Sequence, residues 1–473
     1  MKIKNVIYSI CSVVVLSSCN YLDITPAGKV IPEKVTEFRA LVTSAYTTVP
    51  AYKYLLSVRS DELFPVSSGQ TYSSYINIAL WNDNASNSLV SYPWGDLYKT
   101  IFYANSVIAD VMSAEIDTQD DSREQVMAEA LTLRAFMHFE LLNLYAKTYN
   151  ANTASSDRGI PVATSIDIEQ RYVPSTVEKV YEQILSDIEE AKSLWKVEEQ
   201  PEGTKYRFSK KTALALEARI RLYRSEWEQA LSLAEELIPT CVLEDFNDPQ
   251  ATLPYVTSSK ESLMNLEKIV GSSDVRDLYV LPEYMSKYKD GDLRPAKFFV
   301  KDGEYYKLVK GNGDNLKVSF RGAEIYLISA EAAAHVDGKL DLAKNRLKAL
   351  MEKRLTPELY AEKSVEINSM NQQQLLEEVA DERAREFVIE GHRWFDLRRY
   401  MVCEKYPYSK EIEKVYYVYK DDSSDEKIEK RVYKLEKNDP AYVLPIPHEV
   451  LEFHTGMQNN PHPVRSYRIE SLN

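Results

Sequence analysis

The clearest signal along the chain is an apolar stripe returning every three or four residues, the period of a helix with one buried face. It runs from Glu33 to Val49, ending before Pro50, and from Trp94 to about Met112. A longer run, Asp121 to Tyr149, carries apolar or small residues at Ala130, Leu133, Phe136, Met137, Leu141, Leu144 and Tyr145. Thr176 to Trp195 follows, with Ser175 or Thr176 able to cap its first turn and Glu178 close behind. Two helix pairs, Ser209 to Pro239 and Glu324 to Arg354, have tetratricopeptide-like spacing. Leu214, Ala218, Trp227 and Ala230 fit that spacing in the first, and Ala343, Leu347 and Leu350 in the second, with Gly338 at the turn. Small residues there let helices approach closely and predict a stacked, right-handed scaffold, although two copies alone also fit irregular helical packing.

The period lapses in two long segments, 51–93 and 240–320, where Tyr and Trp are interleaved with Ser, Asn, Asp and Gly. Structureless segments of such length inside a compact protein are usually functional. Near the C-terminus, Val415 to Lys420 and Lys430 to Leu435 alternate on either side of the polar run Asp421 to Glu426, which predicts a β-hairpin. The expected fold is mostly α: a single domain over 33–473, with a helix-pair scaffold, a loop-rich face and a small C-terminal hairpin.

One stretch places charges where a core should be. In Leu375 to Tyr400, Leu376, Val379, Ala380, Phe387, Gly391 and Trp394 share a face with Arg383 and Glu390, while Glu386 and Arg393 border it. Steps of three or four residues join these four charges, and a buried charge without a partner is costly. The reading is a structural helix with a buried ion ladder, broken at Gly391 into a second short helix from His392 to Tyr400.

Size and charge narrow the class. The 473 residues suffice for one large domain or two ordinary ones, and a net charge of −14 disfavours a nucleic-acid partner. Thirty-three Tyr against 14 Gly indicate an ordered protein rich in aromatic surface. Lys2 and Lys4 precede an apolar run from Val6 to Leu16, too short to span a bilayer and typical of a signal peptide. The following Leu-Ser-Ser-Cys19 resembles a bacterial lipobox, which implies removal of residues 1–18, acylation of Cys19 and a tether over 19–32. Several acyl chains anchor firmly where one binds only marginally. The remaining cysteines, Cys241 and Cys403, form no disulfide framework, and two buried free thiols are favoured over a bridge.

Catalytic and metal readings fare poorly. Glu386 and Glu390 lie about 5–6 Å apart at their β-carbons, a spacing that suits glycosidase carboxylates, yet adjacent arginines would hold both ionised where one must stay protonated. His138-Phe-Glu140 lacks the second histidine of a zincin, and Ser286-Lys-Tyr-Lys289 lacks the partner motifs of a penicillin-binding active site. His448, His454 and His462 have no zinc-ligand spacing. No metal site is assigned. Asp290-Gly-Asp292 offers the oxygen ligands of a structural calcium ion, with a solvated turn as the plainer state.

The spelling of the charged stretch carries a resemblance. Glu382-Arg383, Glu386-Phe387, Glu390-Gly391, Arg393-Trp394 and Asp396-Leu397-Arg398-Arg399 resemble the C-terminal motif of the SusD/RagB family, glycan-binding outer-membrane lipoproteins of Bacteroidetes. Leu22-Asp23…Pro26, Trp94-Gly-Asp-Leu-Tyr98 with Asn105, the 128–146 run AEALTLRAFMHFELLNLYA, Gly159-Ile-Pro161 and Leu444-Pro-Ile-Pro…Gln458-Asn459 are also similar to family elements. Asn460, inserted before Pro461, is a small departure. The resemblance implies a tetratricopeptide-like scaffold without catalysis or cofactor. It further implies a surface lipoprotein that hands an oligosaccharide to a SusC-like TonB-dependent outer-membrane transporter. On it the repeats' outer surface would meet the transporter and the two irregular segments the ligand. Peptide-capturing members of the same family are the alternative, and a secreted hydrolase the more distant one.

The ligand residues match no family motif and rest on chemistry alone. A pyranose stacks its apolar face on an aromatic ring and turns hydroxyl edges to amides and carboxylates. Tyr72, Tyr75 and Trp81 are the candidate platforms, with Asn82, Asp83 and Asn84 as edge partners and Tyr279, Tyr284 and Tyr288 as a second set. The acidic balance weakly disfavours sulfated or uronic-acid polymers.

Overall fold

The computed structural model describes residues 32–66, 70–83, 92–166, 172–270, 278–310, 316–421, 424, 426–454 and 456–472, with backbone alone for 70–74 and 270. The signal segment, Cys19, the tether up to residue 31 and Asn84 lie outside them, as does the side chain of Tyr72.

Arg123–Tyr145, a helix of 23 residues, is buried on nearly every side. A helix that hides its whole circumference must be central. Val35–Thr47, Trp94–Asp110 and Val177–Lys192 pack against it. Ser122 starts it, accepting the Gln125 N–H at 3.1 Å. At the other end the Arg398 guanidinium donates to the carbonyls of Asn143 and Ala146, which no further helical turn can satisfy. Thr176 caps Val177–Lys192, its hydroxyl accepting from Lys179.

Both expected helix pairs form. Lys210–Tyr223 and Trp227–Leu237 make the first, Gly322–His335 and Leu340–Glu352 the second. Gly322–His335 packs on both its own partner and Trp227–Leu237, so the pairs stack. Gly338, at φ +75°, makes the second turn. Pro357–Ser369 and Gln372–Glu386 continue the array.

The charged stretch breaks where glycine predicted. Gln372–Glu386 ends, residues 387–391 form turns, and His392–Met401 restarts the helix. Gly391 sits at φ +84°, and a Cβ there would come within 2.6 Å of Lys53 Cδ.

The two segments read as irregular hold more structure than expected. Lys53–Arg59 and Gln70–Ala79 are helices within 51–93. The first is seven residues long, and six of them, Lys53 and Arg59 included, are buried; with no exposed face it has no amphipathic period to read. Segment 240–320 folds into strands of two to four residues, too short for alternation to register. Phe299–Asp302 pairs with Tyr305–Leu308, and Leu278–Tyr279 reaches back to Phe64–Pro65. The C-terminal hairpin, Ile412–Tyr419 with Lys427–Leu435, gains a third strand, Arg468–Glu470, on the far side of Lys427–Leu435. That leaves Ile412–Tyr419 as one edge of the sheet.

Candidate functional site

Several expected platforms face inward. Trp81 is 2% exposed. Its indole N–H donates to the Arg59 carbonyl at 2.8 Å, and Lys414 and Arg465 lie over its ring at 5.0 and 5.1 Å. It offers no face to a sugar, because the helix Lys53–Arg59 and the C-terminal segment close around it. Asp83 holds the buried Arg59 guanidinium in two bonds of 2.7 and 2.6 Å and lies 3.3 Å from His462. Although burial opposes its charge, Arg59 and His462 keep its carboxyl well below the usual range. Asn82 turns back on Asn77. Tyr75 is buried edge-on against Tyr54 at 6.0 Å.

In the second set, Tyr284 is buried with its hydroxyl donating to the Ala384 carbonyl at 2.7 Å. Tyr288 does the same to Arg385 at 2.9 Å. Tyr279 is half-buried, its ring 5.7 Å from Tyr305 with Lys307 above it.

A cleft of about 610 Å³ lies elsewhere, between the C-terminal sheet and the strand Phe64–Pro65 with the helix Pro282–Met285. Tyr305, Tyr416, Tyr417 and Tyr419 line it, with Phe64 and an edge of Tyr284. All four tyrosines are at least part-exposed. Tyr417 and Tyr419 act on the Tyr305 hydroxyl across the gap, joining burial and Glu304 in raising its pKa. Lys427 lies over the Tyr417 ring at 4.0 Å. Consecutive residues from Lys410 to Tyr417 line the cleft, whichever way their side chains alternate. The cleft therefore runs along the edge of the strand Ile412–Tyr419. Sequence reasoning used Val415-Tyr-Tyr-Val-Tyr only as strand alternation; the density of tyrosine there was the signal for this wall.

Its floor is charged. Asp61 accepts from Arg393 at 2.8 and 3.0 Å and lies 3.2 Å from Lys410 and 4.0 Å from Lys287. Burial opposes its charge, but Arg393 prevails, with Lys410 and Lys287, and keeps the carboxyl far below its ordinary range. Burial pushes Lys287 down to about 8. Glu62 next door is buried, accepts the Ile389 N–H at 2.9 Å, and is pushed up by burial to about 7. Ring faces above charged and hydroxyl-bearing edges can hold a flat ligand with an apolar face and a polar rim. Among the described residues no cluster of three or more histidine, cysteine, aspartate or glutamate side chains is placed to hold a metal ion. Asp292 is bonded through both oxygens to Arg294.

Comparison with known proteins bears on the whole chain. The profile of the SusD family matches residues 272–462, and a second, described as starch-binding and associating with the outer membrane, matches residues 20–222. The chain belongs to the SusD/RagB family. A SusD-like protein of Formosa agariphila, P38, is 31% identical over 150 residues, which is 31% of this chain and 25% of the relative. The match thus spans a quarter of that relative's length. A SusD superfamily protein of Bacteroides vulgatus superposes with a TM-score of 0.71 at 21% identity, over 91% of this chain and 99% of the other. A laminarin-binding SusD-like protein superposes at 0.63 and 18% identity, over 91% and 99%. The mostly helical architecture is that of the SusD superfamily.

The structure shows what the SusD/RagB C-terminal motif does in this chain. Its charges are buried, but the expected ladder does not form, because the helix ends at Glu386 and each side chain finds a distant partner. Glu386 accepts from Arg294, Arg321 and Arg354 at 2.6–3.1 Å. Glu390 accepts from Arg321 and Lys310, Arg383 pairs with Asp396, and Arg393 reaches Asp61 in the cleft floor. Arg354, Arg321 and Arg294 hold Glu386 ionised, and Arg321 with Lys310 holds Glu390 ionised, each against the pull of burial. His138 is buried and neutral, with Nε2 accepting the Ala163 N–H at 3.1 Å and Nδ1 3.0 Å from the Arg134 carbonyl. Cys241 and Cys403 are buried free thiols. No helix among the described residues is long and apolar enough to cross a membrane.

Proposed function

We propose that this chain captures an oligosaccharide in the tyrosine-lined cleft and delivers it to a SusC-like TonB-dependent transporter in the outer membrane, where acylated Cys19 anchors it. The observation that carries the reading is the set of part-exposed rings, Tyr305, Tyr416, Tyr417 and Tyr419, gathered around one 610 Å³ space with charged groups at its edge. Rings of this kind lose little conformational entropy on binding and match the apolar face of a pyranose. The matching family profile, starch-binding, and the laminarin-binding structural neighbour support the ligand class. No catalytic step is proposed: the carboxylates nearest the family motif are tied to arginines, which suits structure and not proton transfer.

One observation favours a second reading. The cleft follows the edge strand Ile412–Tyr419. An extended peptide could add to such an edge by main-chain hydrogen bonds. A glycan array beside a peptide library separates the two, repeated with Tyr417→Ala and Tyr419→Ala. Each variant is expected to weaken a glycan about tenfold, or ~1.4 kcal/mol. Peptide binding that survives both ring deletions would replace the glycan reading.

A further inference from the structure

We propose that the cleft floor around Lys287 and Lys410 is a subsite for an acidic group on the ligand, a carboxylate or sulfate ester carried by the oligosaccharide. The proposal rests on the glycan reading and adds the chemical class of the sugar.

Three cations, Arg393, Lys410 and Lys287, converge on the single carboxylate of Asp61. Arg393 takes both of its oxygens in a planar, two-bond pair, so the two lysines are left as secondary partners. The other nearby acid, Glu62, is 1% exposed and bonded to the Ile389 N–H and the Ser60 hydroxyl. Its raised pKa means it supplies only part of a charge at neutral pH. Lys287 is itself disfavoured as a cation by burial, with Arg393 and Lys410 adding to the effect. The cluster therefore holds more positive than negative charge in a partly desolvated place.

Charges elsewhere around the cleft are largely engaged. Glu411 pairs with Lys434 at 2.8 Å, Lys430 with Glu470 at 2.8 Å and Glu413 with Arg468 at 3.7 Å. Lys414 donates to the Val58 carbonyl at 2.6 Å, and burial drives it toward the neutral form. Glu283 and Glu304 are exposed and act on Tyr305 at the wall. An anion entering over the rings meets Lys287 and Lys410, both of which line the cleft. The overall charge of −14 does not oppose this, since charges further than about 8 Å away are screened at physiological ionic strength. The local pair decides, and the composition-based expectation against acidic polymers is set aside.

The test is calorimetry with the full-length protein against oligogalacturonate, alginate oligosaccharide and fucoidan. Methyl-esterified oligogalacturonate, laminarin and starch serve as the neutral counterparts. The tightest ligand is expected to be acidic, with esterification or desulfation reducing its affinity at least tenfold. Binding of the uronates or of fucoidan tells carboxylate from sulfate. Lys410→Gln, at a part-exposed position, and Lys287→Gln should each weaken the acidic ligand about fivefold and leave neutral ligands unchanged. A neutral best ligand that needs Tyr417 but ignores both lysines would overturn the acidic subsite and keep the glycan reading. Absence of binding to every glycan would remove both.

Discussion

Glu386 shows how far a single side chain can be specified by residues remote from it in sequence. Its neighbours on the helix suggested an ion ladder, yet its partners come from positions 294, 321 and 354. Removing one member of a buried ion cluster leaves the others uncompensated, which typically costs about 3–5 kcal/mol. Glu386→Gln is therefore expected to lower stability by about that amount in urea denaturation. The pH dependence has a definite sign. The folded protein holds Glu386 and Glu390 below their ordinary range, so the unfolded chain binds more protons in acid. Their contribution is complete above the unfolded value near 4.5 and is lost as pH falls toward the folded values. Melting temperature should therefore drop steeply as pH falls below about 5, and less steeply in Glu386→Gln. Burial of these charges was legible because Glu390 shares a face with Phe387 and Trp394 and Glu386 borders it. Their partners were not, since nothing local encodes a contact across the fold.

At the scale of elements, legibility followed length and exposure. Arg123–Tyr145, Val177–Lys192 and the two helix pairs each carry enough turns for a pattern to emerge, and Ser122, Thr176 and Ser209 cap the first two and Lys210–Tyr223 as ordinary hydroxyl caps. The helix Lys53–Arg59 is short and buried around its circumference, so composition there mimics a loop. Strands of two residues, such as Phe64–Pro65 and Leu278–Tyr279, have no period at all; pairing with each other creates them. The break at Gly391 was readable because only glycine takes φ +84° cheaply. The structure adds a second constraint, the Lys53 side chain pressed against that carbon. Gly391→Ala should cost about 1–3 kcal/mol from the backbone alone, and more through displacement of Lys53 from Glu140. Thermal melting of the variant beside Lys53→Ala, Gly391→Ala would show the second part as non-additivity.

For the whole molecule, the decisive event is that distant segments close over Trp81 and open beside Tyr417. The expectation for Trp81 came from its polar neighbours, and its burial comes from Arg59, Lys414 and Arg465, which arrive from both ends of the chain. Trp81→Ala should cost about 3–5 kcal/mol of stability, as for other buried aromatics. Ligand affinity per folded molecule, measured by calorimetry, should stay within about twofold, whereas Tyr417→Ala should lower it about tenfold without unfolding the protein. By itself the sequence determined the helical class, the two helix pairs, the interruption at Gly391 and the family motif, because periodicity, glycine and spelling are local properties. Only the tertiary structure decided which tyrosines face solvent, which carboxylate each arginine meets, and that Lys287 and Lys410 share a cleft. Those outcomes depend on surfaces brought together from positions up to several hundred residues apart, and burial is a property of that assembly.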